Sequence, residues 1–226
     1  MKMFSVCGLI VLVLVVSTKG QTKYCCSLDQ FEGVLSSVTK TTVGGVDGLF
    51  KNISYIFYDY TNNRFAMFVN DTTPSGTSES FVLQLYTETG AKIYKKNLRS
   101  GDCSVEVNSE RFPRHCVPDE AEKMGIVSYG TTDNPLYAGA YLLKEDTDKG
   151  PLEIVITTTA DDDCAPISLV ISGPLNGVPL LLVAGYVNIR PGISDASVFN
   201  VPPECQGAPE SRRRSASVVS NSFFLP

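Results

Sequence analysis

The stretch "ISYIFYDYTNNRFAMFV", residues 53–69, contains two segments rich in aromatic and β-branched residues on either side of a polar turn. Such side chains favour strands, because they pack well on a pleated, half-buried surface. The intervening "TNN" has the length and polarity of a hairpin loop. The stretch therefore predicts two consecutive antiparallel strands.

Further segments of the same kind follow this hairpin along the chain. Turn signals such as "TETG", "DKGP", "DDDCAP" and "GPLNG" separate them. The segments are "SFVLQLY", "GAKIYKKN", "GIVSYG", "AGAYLLKE", "LEIVITTTA", "ISLVISG" and "VPLLLVAGYVNI". Many strands at short intervals predict an all-β fold, either an antiparallel sandwich or a barrel.

Helix signals are few. The segment "PDEAEKMG", residues 118–125, begins with Pro, carries acids early and ends in Lys and Gly, so it predicts a short helix. The segment "SDASVFN", residues 194–200, predicts a single turn capped by Ser194 or Asp195.

Several predicted strands are apolar on both faces, although a half-solvated antiparallel strand alternates. In "PLLLVAGYV", residues 179–187, one face holds Leu180, Leu182 and Ala184, and the other holds Leu181, Val183 and Val187. Both faces must therefore be covered. A second sheet or a partner subunit could cover one face, and the other could line a large apolar cavity or an ordinary double-layer core.

The first twenty residues resemble a secretory signal. Lys2 precedes the apolar run "CGLIVLVLVVS", and Thr18 and Gly20 are small residues at the usual cleavage positions. An N-terminal anchor is the alternative, but the run is short for a membrane span. Cleavage after Gly20 leaves 206 residues, which suit one large domain without a transmembrane segment.

Cleavage also removes Cys7, so six cysteines remain. An even number in a secreted chain predicts three disulfides, and spacing alone cannot choose among fifteen pairings. A zinc site is disfavoured, because the chain has one histidine and no Cys-x-x-Cys pair. The cysteines are Cys25, Cys26, Cys103, Cys116, Cys164 and Cys205.

Charge and glycosylation signals agree with an extracellular protein. The formal net charge is −5, and it becomes −7 when Lys2 and Lys19 leave with the signal, so nucleic acid is not an expected partner. The sequons at Asn52 and Asn70 predict N-glycosylation. Asn70 is the stronger candidate, because "NDTTPSGTSES" is typical of an exposed loop.

No catalytic residues are assigned, and the chain is not predicted to be an enzyme. His115 lies in a proline-flanked loop beside Cys116, and no Gly-x-Ser-x-Gly elbow or phosphate-binding loop is present. A hydrolase using an unrecognised carboxylate pair is the least favoured interpretation.

The densest acidic cluster is Asp161, Asp162 and Asp163. Adjacent carboxylates can supply some of the oxygen ligands of Ca²⁺, but the spacing matches no EF-hand. A solvated hairpin turn explains the same residues, because Asp is favoured in turns.

The chain composition changes after Cys205. Residues 206–226 are small and polar, with the basic run Arg212, Arg213 and Arg214 before an apolar end. We expect a flexible tail, with a processing site at "ESRRRS" as the less favoured alternative.

Three stretches resemble the ependymin-related family. They are "CCSLDQFEG" (25–33), the Tyr-Asp hairpin of residues 53–69, and "DASVFNVPPEC" (195–205). They stand in the family's order and span nearly the whole mature chain. The resemblance therefore predicts one ependymin-like β domain over residues 21–205.

The resemblance implies a fold of two antiparallel sheets that form a half-open β-barrel, like bacterial lipoprotein carriers, with a deep hydrophobic pocket. It also implies a homodimer, an association with calcium, no enzymatic activity, and a secreted or lysosomal location. The candidate pocket residues, chosen by strand face, are Phe65, Met67, Phe81, Leu83, Leu85, Ile154, Ile156, Leu180 and Leu182.

The family pattern further implies disulfide partners. It joins the first cysteine to Cys164 and Cys103 to Cys205, which leaves Cys116 for the second member of the "CC" pair. Which of Cys25 and Cys26 takes which partner stays open.

Two functions follow from these observations. The leading hypothesis is a secreted glycoprotein that holds a hydrophobic ligand, a lipid, in the barrel. The alternative is a calcium-modulated glycoprotein of the extracellular matrix that acts in adhesion, with no physiological ligand in its pocket.

Overall fold

The structure, a computed structural model, describes residues 25–43, 46–109, 111–112, 115–147, 150–175 and 177–212. The predicted signal, residues 1–20, lies outside the described residues. Twelve strands and two 3₁₀ helices form the described part: β1 (Gln30–Val43), β2 (Val46–Asp59), β3 (Arg64–Thr73), β4 (Gly76–Thr87), β5 (Gly90–Asn97), β6 (Cys103–Asn108), β7 (Glu122–Thr131), β8 (Asn134–Thr147), β9 (Gly150–Thr159), β10 (Pro166–Leu175), β11 (Val178–Pro191), the helices η1 (Ala196–Phe199) and η2 (Pro203–Cys205), and β12 (Glu210–Arg212).

The strands form one open sheet in the order β12-β6-β5-β4-β3-β2-β1-β11-β10-β9-β8-β7. All neighbouring strands are antiparallel except β12, which runs parallel to β6. The predicted all-β, half-open antiparallel fold is confirmed. The described strands are hydrogen-bonded into a single continuous sheet, so the two expected layers are parts of one sheet.

The hairpin predicted at residues 53–69 is formed by β2 and β3, with Asp59 opposite Arg64 and Tyr58 opposite Phe65. Asn63 adopts a positive φ of 50°, which Asn tolerates better than most residues. The Asn63 backbone N–H donates to Tyr60 O at 3.1 Å and closes the turn. The hairpin predicted from strand propensity and turn chemistry is therefore confirmed.

One face of the sheet, the inner face, carries the main core. Antiparallel partners share a face, so the pairs Tyr58–Phe65 and Ile154–Ile171 place their side chains on the same side. The cluster spans seven neighbouring strands, from β3 to β8 in the order of the sheet, and also includes Val117 of the β6–β7 connection. Its buried members are Phe31, Leu35, Ile56, Tyr58, Phe65, Val117, Leu143, Leu152, Ile154, Ile156, Leu169, Ile171, Ala184 and Tyr186.

The opposite, outer face is covered over β3–β6 by the segment that contains η1 and η2. Phe199 and Cys205 of this segment pack on Ala66, Leu83 and other outer side chains of these strands. The Cys103–Cys205 disulfide, the Lys96–Glu204 ion pair at 2.8 Å and the Arg64 guanidinium over the Phe199 ring hold the segment in place.

Large apolar side chains remain exposed on the outer side of β1, β2, β3 and β11. We call this surface the outer apolar face. It consists of Val38, Leu49, Ile53, Tyr55, Phe68, Leu181, Val183 and Val187.

Two sequence predictions outside the strands have opposite outcomes. The predicted helix at residues 118–125 is wrong: a turn closed by Ala121 N–H to Pro118 O leads directly into β7. Pairing with β8 overrides the local helix signals there. The predicted turn near Asp195 is confirmed, because Asp195 Oδ1 accepts from Ser197 N at 2.9 Å and caps η1.

The flexible tail was predicted to begin at residue 206, which is too early. Glu210, Ser211 and Arg212 form β12 beside β6, and Lys92 binds Glu210 at 2.5 Å. The ordered domain therefore extends at least to Arg212. Residues 213–226 lie outside the described residues.

Candidate functional site

A cavity of about 390 Å³ opens on the inner face near the hairpin ends of β1–β2 and β3–β4. Leu35 and Met67 form its apolar floor next to the main core, and Phe50 adds an aromatic wall. Polar side chains supply most of the remaining lining. The complete lining is Leu35, Ser37, Thr39, Phe50, Lys51, Asn52, Ser54, Met67, Asp71, Thr72 and Thr73.

A short hydrogen-bond chain orders the polar side of this cavity. Ser54 Oγ donates to Asn52 Oδ1 at 2.7 Å, and Asn52 Nδ2 donates to Asp71 Oδ1 at 2.8 Å. Register explains the arrangement, because Asn52 and Asp71 are cross-strand partners and Ser54 lies two residues along the same face. The cavity thus presents fixed polar groups above an apolar floor.

The inner face is closely packed away from the cavity. Ile56, Tyr58, Phe65, Ile154 and Ile156 are each at most 3% exposed. They belong to the main core, which the cavity adjoins through Leu35 and Met67.

The other end of the inner face is closed by disulfides and aromatic rings. Cys25 bonds Cys164, and Cys26 bonds Cys116. The Phe112 ring packs against Tyr58, Tyr60 and Tyr86, with centroid distances of 5.1, 5.9 and 4.9 Å. These disulfides and packed rings therefore occupy the end of the inner face that lies away from the cavity.

Six of the nine predicted lining residues lie on the inner face, but only Met67 lines the cavity. Leu180 lines an adjoining depression of about 340 Å³ with Thr41 and Pro179. The buried Phe65, Ile154 and Ile156 and the half-buried Leu182 belong to, or pack against, the main core.

The three predicted residues of β4 require a correction. Phe81, Leu83 and Leu85 lie on the outer face, in the cluster covered by η1 and η2. Val82 pairs with Met67, so the neighbouring residues of β4 occupy the inner face instead. Since the side-chain period is two, a shift of one residue transfers the whole strand to the other face.

The sequence predictions missed the contribution of β1 to the cavity lining. Leu35, Ser37 and Thr39 belong to β1, which was not predicted as a strand. The signal was present, because "VLSSVTKTTV" is rich in β-branched residues. Its many Ser and Thr residues obscured the apolar alternation on which the strand predictions relied.

His115 lies at the closed end, away from the cavity. Its ring contacts Tyr60 at a centroid distance of 3.7 Å, and its Nε2 lies 3.7 Å from Asp29 Oδ1. Burial lowers the pKa of His115, and the Asp29 carboxylate opposes this shift. Ser27 Oγ is buried without a hydrogen-bond partner among the described residues, so His115 does not activate it.

Two groups of side chains carry potential metal ligands. Cys26, His115 and Cys116 cluster together, but the two sulfurs form a disulfide and are not available as thiolate ligands. In the acidic cluster, Asp161 Oδ1 accepts hydrogen bonds from Thr159 Oγ1 at 2.5 Å and from Asp163 N at 3.2 Å. Hydrogen bonds within the turn therefore already use part of the acceptor capacity of this oxygen. A calcium site at Asp161, Asp162 and Asp163 stays a prediction.

The sequons occupy opposite faces. Asn70 is exposed on the outer side of β3, opposite Ile53, while Asn52 faces the cavity. The stretch expected as a loop around Asn70 is instead mostly strand, with β3 extending to Thr73. The accessibility expected for Asn70 is nevertheless present.

The ependymin family model matches residues 75–205, more than half of the chain. The protein belongs to the ependymin family. Ependymin-related protein 1 of Haliotis asinina is 29% identical over 189 residues, covering 80% of this chain and 90% of the relative. Ependymin-related protein 2 of the same species is 24% identical over 200 residues, with 82% and 90% coverage.

Among solved structures, an uncharacterized conserved protein from Thermus thermophilus aligns over 80% of this chain and 91% of its own at 11% identity, with a TM-score of 0.42. The three disulfides of this ependymin-family chain pair the cysteines as the resemblance implied. The structure also decides the pairing that was left open, because Cys25 bonds Cys164 and Cys26 bonds Cys116. No helix in the described ranges is long and apolar enough to cross a membrane.

Proposed function

We propose that this ependymin-family protein is a secreted carrier that binds the hydrophobic chain of a lipid in the inner-face cavity. The supporting observation is the combination of an apolar floor, Leu35 and Met67, with an ordered polar side formed by Ser54, Asn52 and Asp71. Binding sites for amphiphilic small molecules have this division of apolar surface and a few fixed polar groups.

Desolvation supplies the binding free energy in this proposal. Each methylene group that leaves water contributes about 0.8 kcal/mol. The cavity volume of about 390 Å³ lies at the lower end of the ~300–1,000 Å³ typical of small-molecule sites. The site therefore suits one hydrophobic chain, with the polar head group at the rim beside Asn52 and Asp71.

Secretion is supported by the disulfides. All six cysteines from Cys25 onward are paired. Structural disulfides form and persist in oxidising compartments and are rare in the cytosol. Two of the three attach the N-terminal segment to connections that are 139 and 90 residues away in sequence, which suits a domain that leaves part of its inner face open.

A fluorescent long-chain fatty acid, cis-parinaric acid, provides the test. We expect saturable binding to the wild-type protein and at least about tenfold weaker binding to Met67→Trp. The larger side chain occupies the cavity, and excluding only two methylene groups costs about a factor of ten. Met124→Trp is the matched control, because Met124 is exposed on β7, away from the cavity.

Near-ultraviolet circular dichroism and a non-reducing peptide map establish that both variants are folded. Equal affinity of the wild type and Met67→Trp, or absence of saturable binding, would reject the cavity as the ligand site. Native mass spectrometry separates the alternative function: co-purifying lipid supports a carrier, whereas an empty assembly that needs Ca²⁺ supports adhesion.

A further inference from the structure

A second depression, of about 260 Å³, opens on the outer face where β1, β2 and β11 meet. We call it the outer site. Tyr55 and Phe57 share the outer face of β2, and Glu32 of β1 pairs with Phe57 on one side and with Arg190 of β11 on the other. Ser54, the residue before Tyr55, lines the inner-face cavity. The outer site and the cavity therefore lie on opposite faces of the sheet.

A β-bulge lies at the outer site. The pairing of β1 with β11 shifts by one residue, so that Asn188 and Ile189 stand opposite Gly33 alone. Asn188 adopts a φ of 55°, which Asn tolerates better than most residues. A Cβ at Gly33 would lie 2.6 Å from Ile189 Cδ1, so glycine leaves room for Ile189 to pack against the main core. Bulges redirect side chains next to functional sites, and this one brings the exposed Asn188 to the outer site.

The carboxylate of Glu32 is held in place by the segment that precedes η1. The Ser194 N–H and hydroxyl donate to Glu32 Oε2 at 3.0 and 2.7 Å. These hydrogen bonds and the positive charge of Arg190 outweigh burial and lower the pKa of Glu32, so this carboxyl is ionised at neutral pH. No described residue donates to the second oxygen, Oε1, which leaves it as an acceptor for a ligand.

Arg190 supplies the opposite charge. Its side chain is exposed and forms no hydrogen bond or ion pair with the described residues, although it stands across the strand pair from Glu32. An anion entering the outer site meets the Glu32 carboxylate, and a cation meets the Arg190 guanidinium. The paired charges therefore favour a ligand without net charge that both donates and accepts hydrogen bonds.

The aromatic side of the outer site adds a second requirement. Tyr55 is 62% exposed, and Phe57 is half-buried beside it. Exposed aromatic rings bind apolar C–H surface, and a tyrosine also offers a hydroxyl. A pyranose sugar has this combination, because its ring carries C–H groups on its faces and hydroxyl groups around its edge. A depression of about 260 Å³ suits a single ring rather than a long chain.

We infer that the outer site binds a neutral pyranose. The sugar ring packs on Tyr55, its hydroxyls donate to Glu32 Oε1, and Arg190 and Asn188 donate to its oxygens. The inference is independent of the proposed lipid-binding function, because it uses residues on the other face of the sheet.

A zwitterionic amino acid is the main competing ligand, because its carboxylate and ammonium could bind Arg190 and Glu32. An ammonium group carries three donors, however, and Ser194 already occupies one of the two Glu32 oxygens. Alternating hydroxyl donors and acceptors match the outer site better than one concentrated positive charge does.

The test is a saturation-transfer NMR titration with the methyl glycosides of glucose, galactose and mannose. We expect at least one of them to bind the wild type with a dissociation constant on the order of 1 mM. Arg190→Gln should weaken this binding about tenfold, because a charge-assisted hydrogen bond is lost. Tyr55→Ala should weaken it at least about fivefold, because the stacking surface is lost.

Two matched variants serve as controls. Tyr137, on β8, is 59% exposed, and Arg99 is exposed in the β5–β6 turn, so both lie outside the outer site. Tyr137→Ala and Arg99→Gln should each leave the dissociation constant within about twofold of the wild-type value. Thermal unfolding verifies that all four variants are folded.

The charge pairing is tested separately with methyl glucuronide, which adds a carboxylate to the glucoside. The wild type should prefer the neutral glucoside, and Glu32→Gln should shift the preference toward the glucuronide, because Arg190 then lacks its opposing charge. A wild-type preference for the glucuronide would overturn the assignment of a neutral ligand.

Three further results would overturn the inference. The first is the absence of saturable binding of all three neutral glycosides to the wild type. The second is equal weakening by the site variants and their controls, which would place the sugar elsewhere. The third is saturable binding of phenylalanine, lost in Arg190→Gln, without binding of any glycoside, which would assign the outer site to an amino acid.

Discussion

At the residue scale, Asp59 is a buried carboxylate that three side chains hold by hydrogen bonds. It is completely buried and accepts hydrogen bonds from Gln30 Nε2 at 2.8 Å, Asn62 Nδ2 at 2.8 Å and Arg64 Nε at 2.6 Å. Burial raises the pKa of Asp59, but these hydrogen bonds outweigh burial and hold the pKa below its ordinary value of 3.8. The carboxylate links β1 to the turn between β2 and β3.

Replacing Asp59 by Asn should lower the free energy of unfolding by about 2–3 kcal/mol at pH 7, because charge-assisted hydrogen bonds are lost and the Arg64 donor is left poorly paired. Urea unfolding under non-reducing conditions measures this difference.

The same substitution predicts a pH dependence. Because the folded pKa is depressed, the stabilisation by Asp59 is complete above the ordinary value of 3.8 and is lost as the pH falls through the folded pKa. The difference in free energy of unfolding between wild type and Asp59→Asn should therefore become smaller below about pH 3.8. A free-energy difference that is constant from pH 7 to pH 3 would contradict this account.

The two sequons make a second prediction at this scale. Asn70 is exposed, whereas the Asn52 amide donates to Asp71 and faces the cavity. We expect Asn70→Gln to remove the mass shift that an N-glycosidase produces on the secreted protein, and Asn52→Gln to retain it. The opposite pattern would place the glycan inside the cavity and conflict with ligand entry there.

At the scale of elements, the segment containing η1 and η2 acts as a cover for the outer face of β3–β6. The Cys103–Cys205 disulfide closes a sequence separation of 102 residues and attaches this cover to β6. Replacing both cysteines by Ser should cost about 4–5 kcal/mol in the loop-entropy model. Hydrogen exchange of η1 should also accelerate, because Phe199 loses a covalent restraint nearby.

The Cys26–Cys116 pair provides the control for this prediction, since its sequence separation of 90 residues implies a similar entropic cost. Its double Ser variant should lose comparable stability in urea but keep the protection of η1. Equal loss of η1 protection in both variants would show that the cover depends on global stability and not on its own disulfide.

At the scale of the whole molecule, the two faces of the sheet differ in how they are packed and covered. The inner face carries the main core, and the cavity opens beside this core near the β1–β2 and β3–β4 hairpin ends. The outer face is covered by the chain's own C-terminal segment over β3–β6 and is exposed over the strands next to them. Strands that are apolar on both faces are needed for this arrangement, which explains their unusual composition.

The sequence by itself determined the all-β class, the β2–β3 hairpin, the Asp195 cap and the presence of three disulfides. These features depend on residue propensities, turn chemistry and an even number of cysteines, which are local or compositional properties. The family resemblance added the disulfide partners. The local helix signals of residues 118–125 failed because strand pairing with β8 is a non-local interaction.

Only the tertiary structure decided which face each strand presents. Phe81, Leu83 and Leu85 alternate as a cavity-lining strand should, yet they lie beneath η1 and η2, because the register with β3 turns Val82 inward. It also decided that β1 contributes the polar Ser37 and Thr39 to the cavity beside Leu35, and that the outer apolar face has no cover among the described residues. Alternation reveals that two faces differ, but only packing between distant segments assigns one face to the core and the other to solvent or a partner.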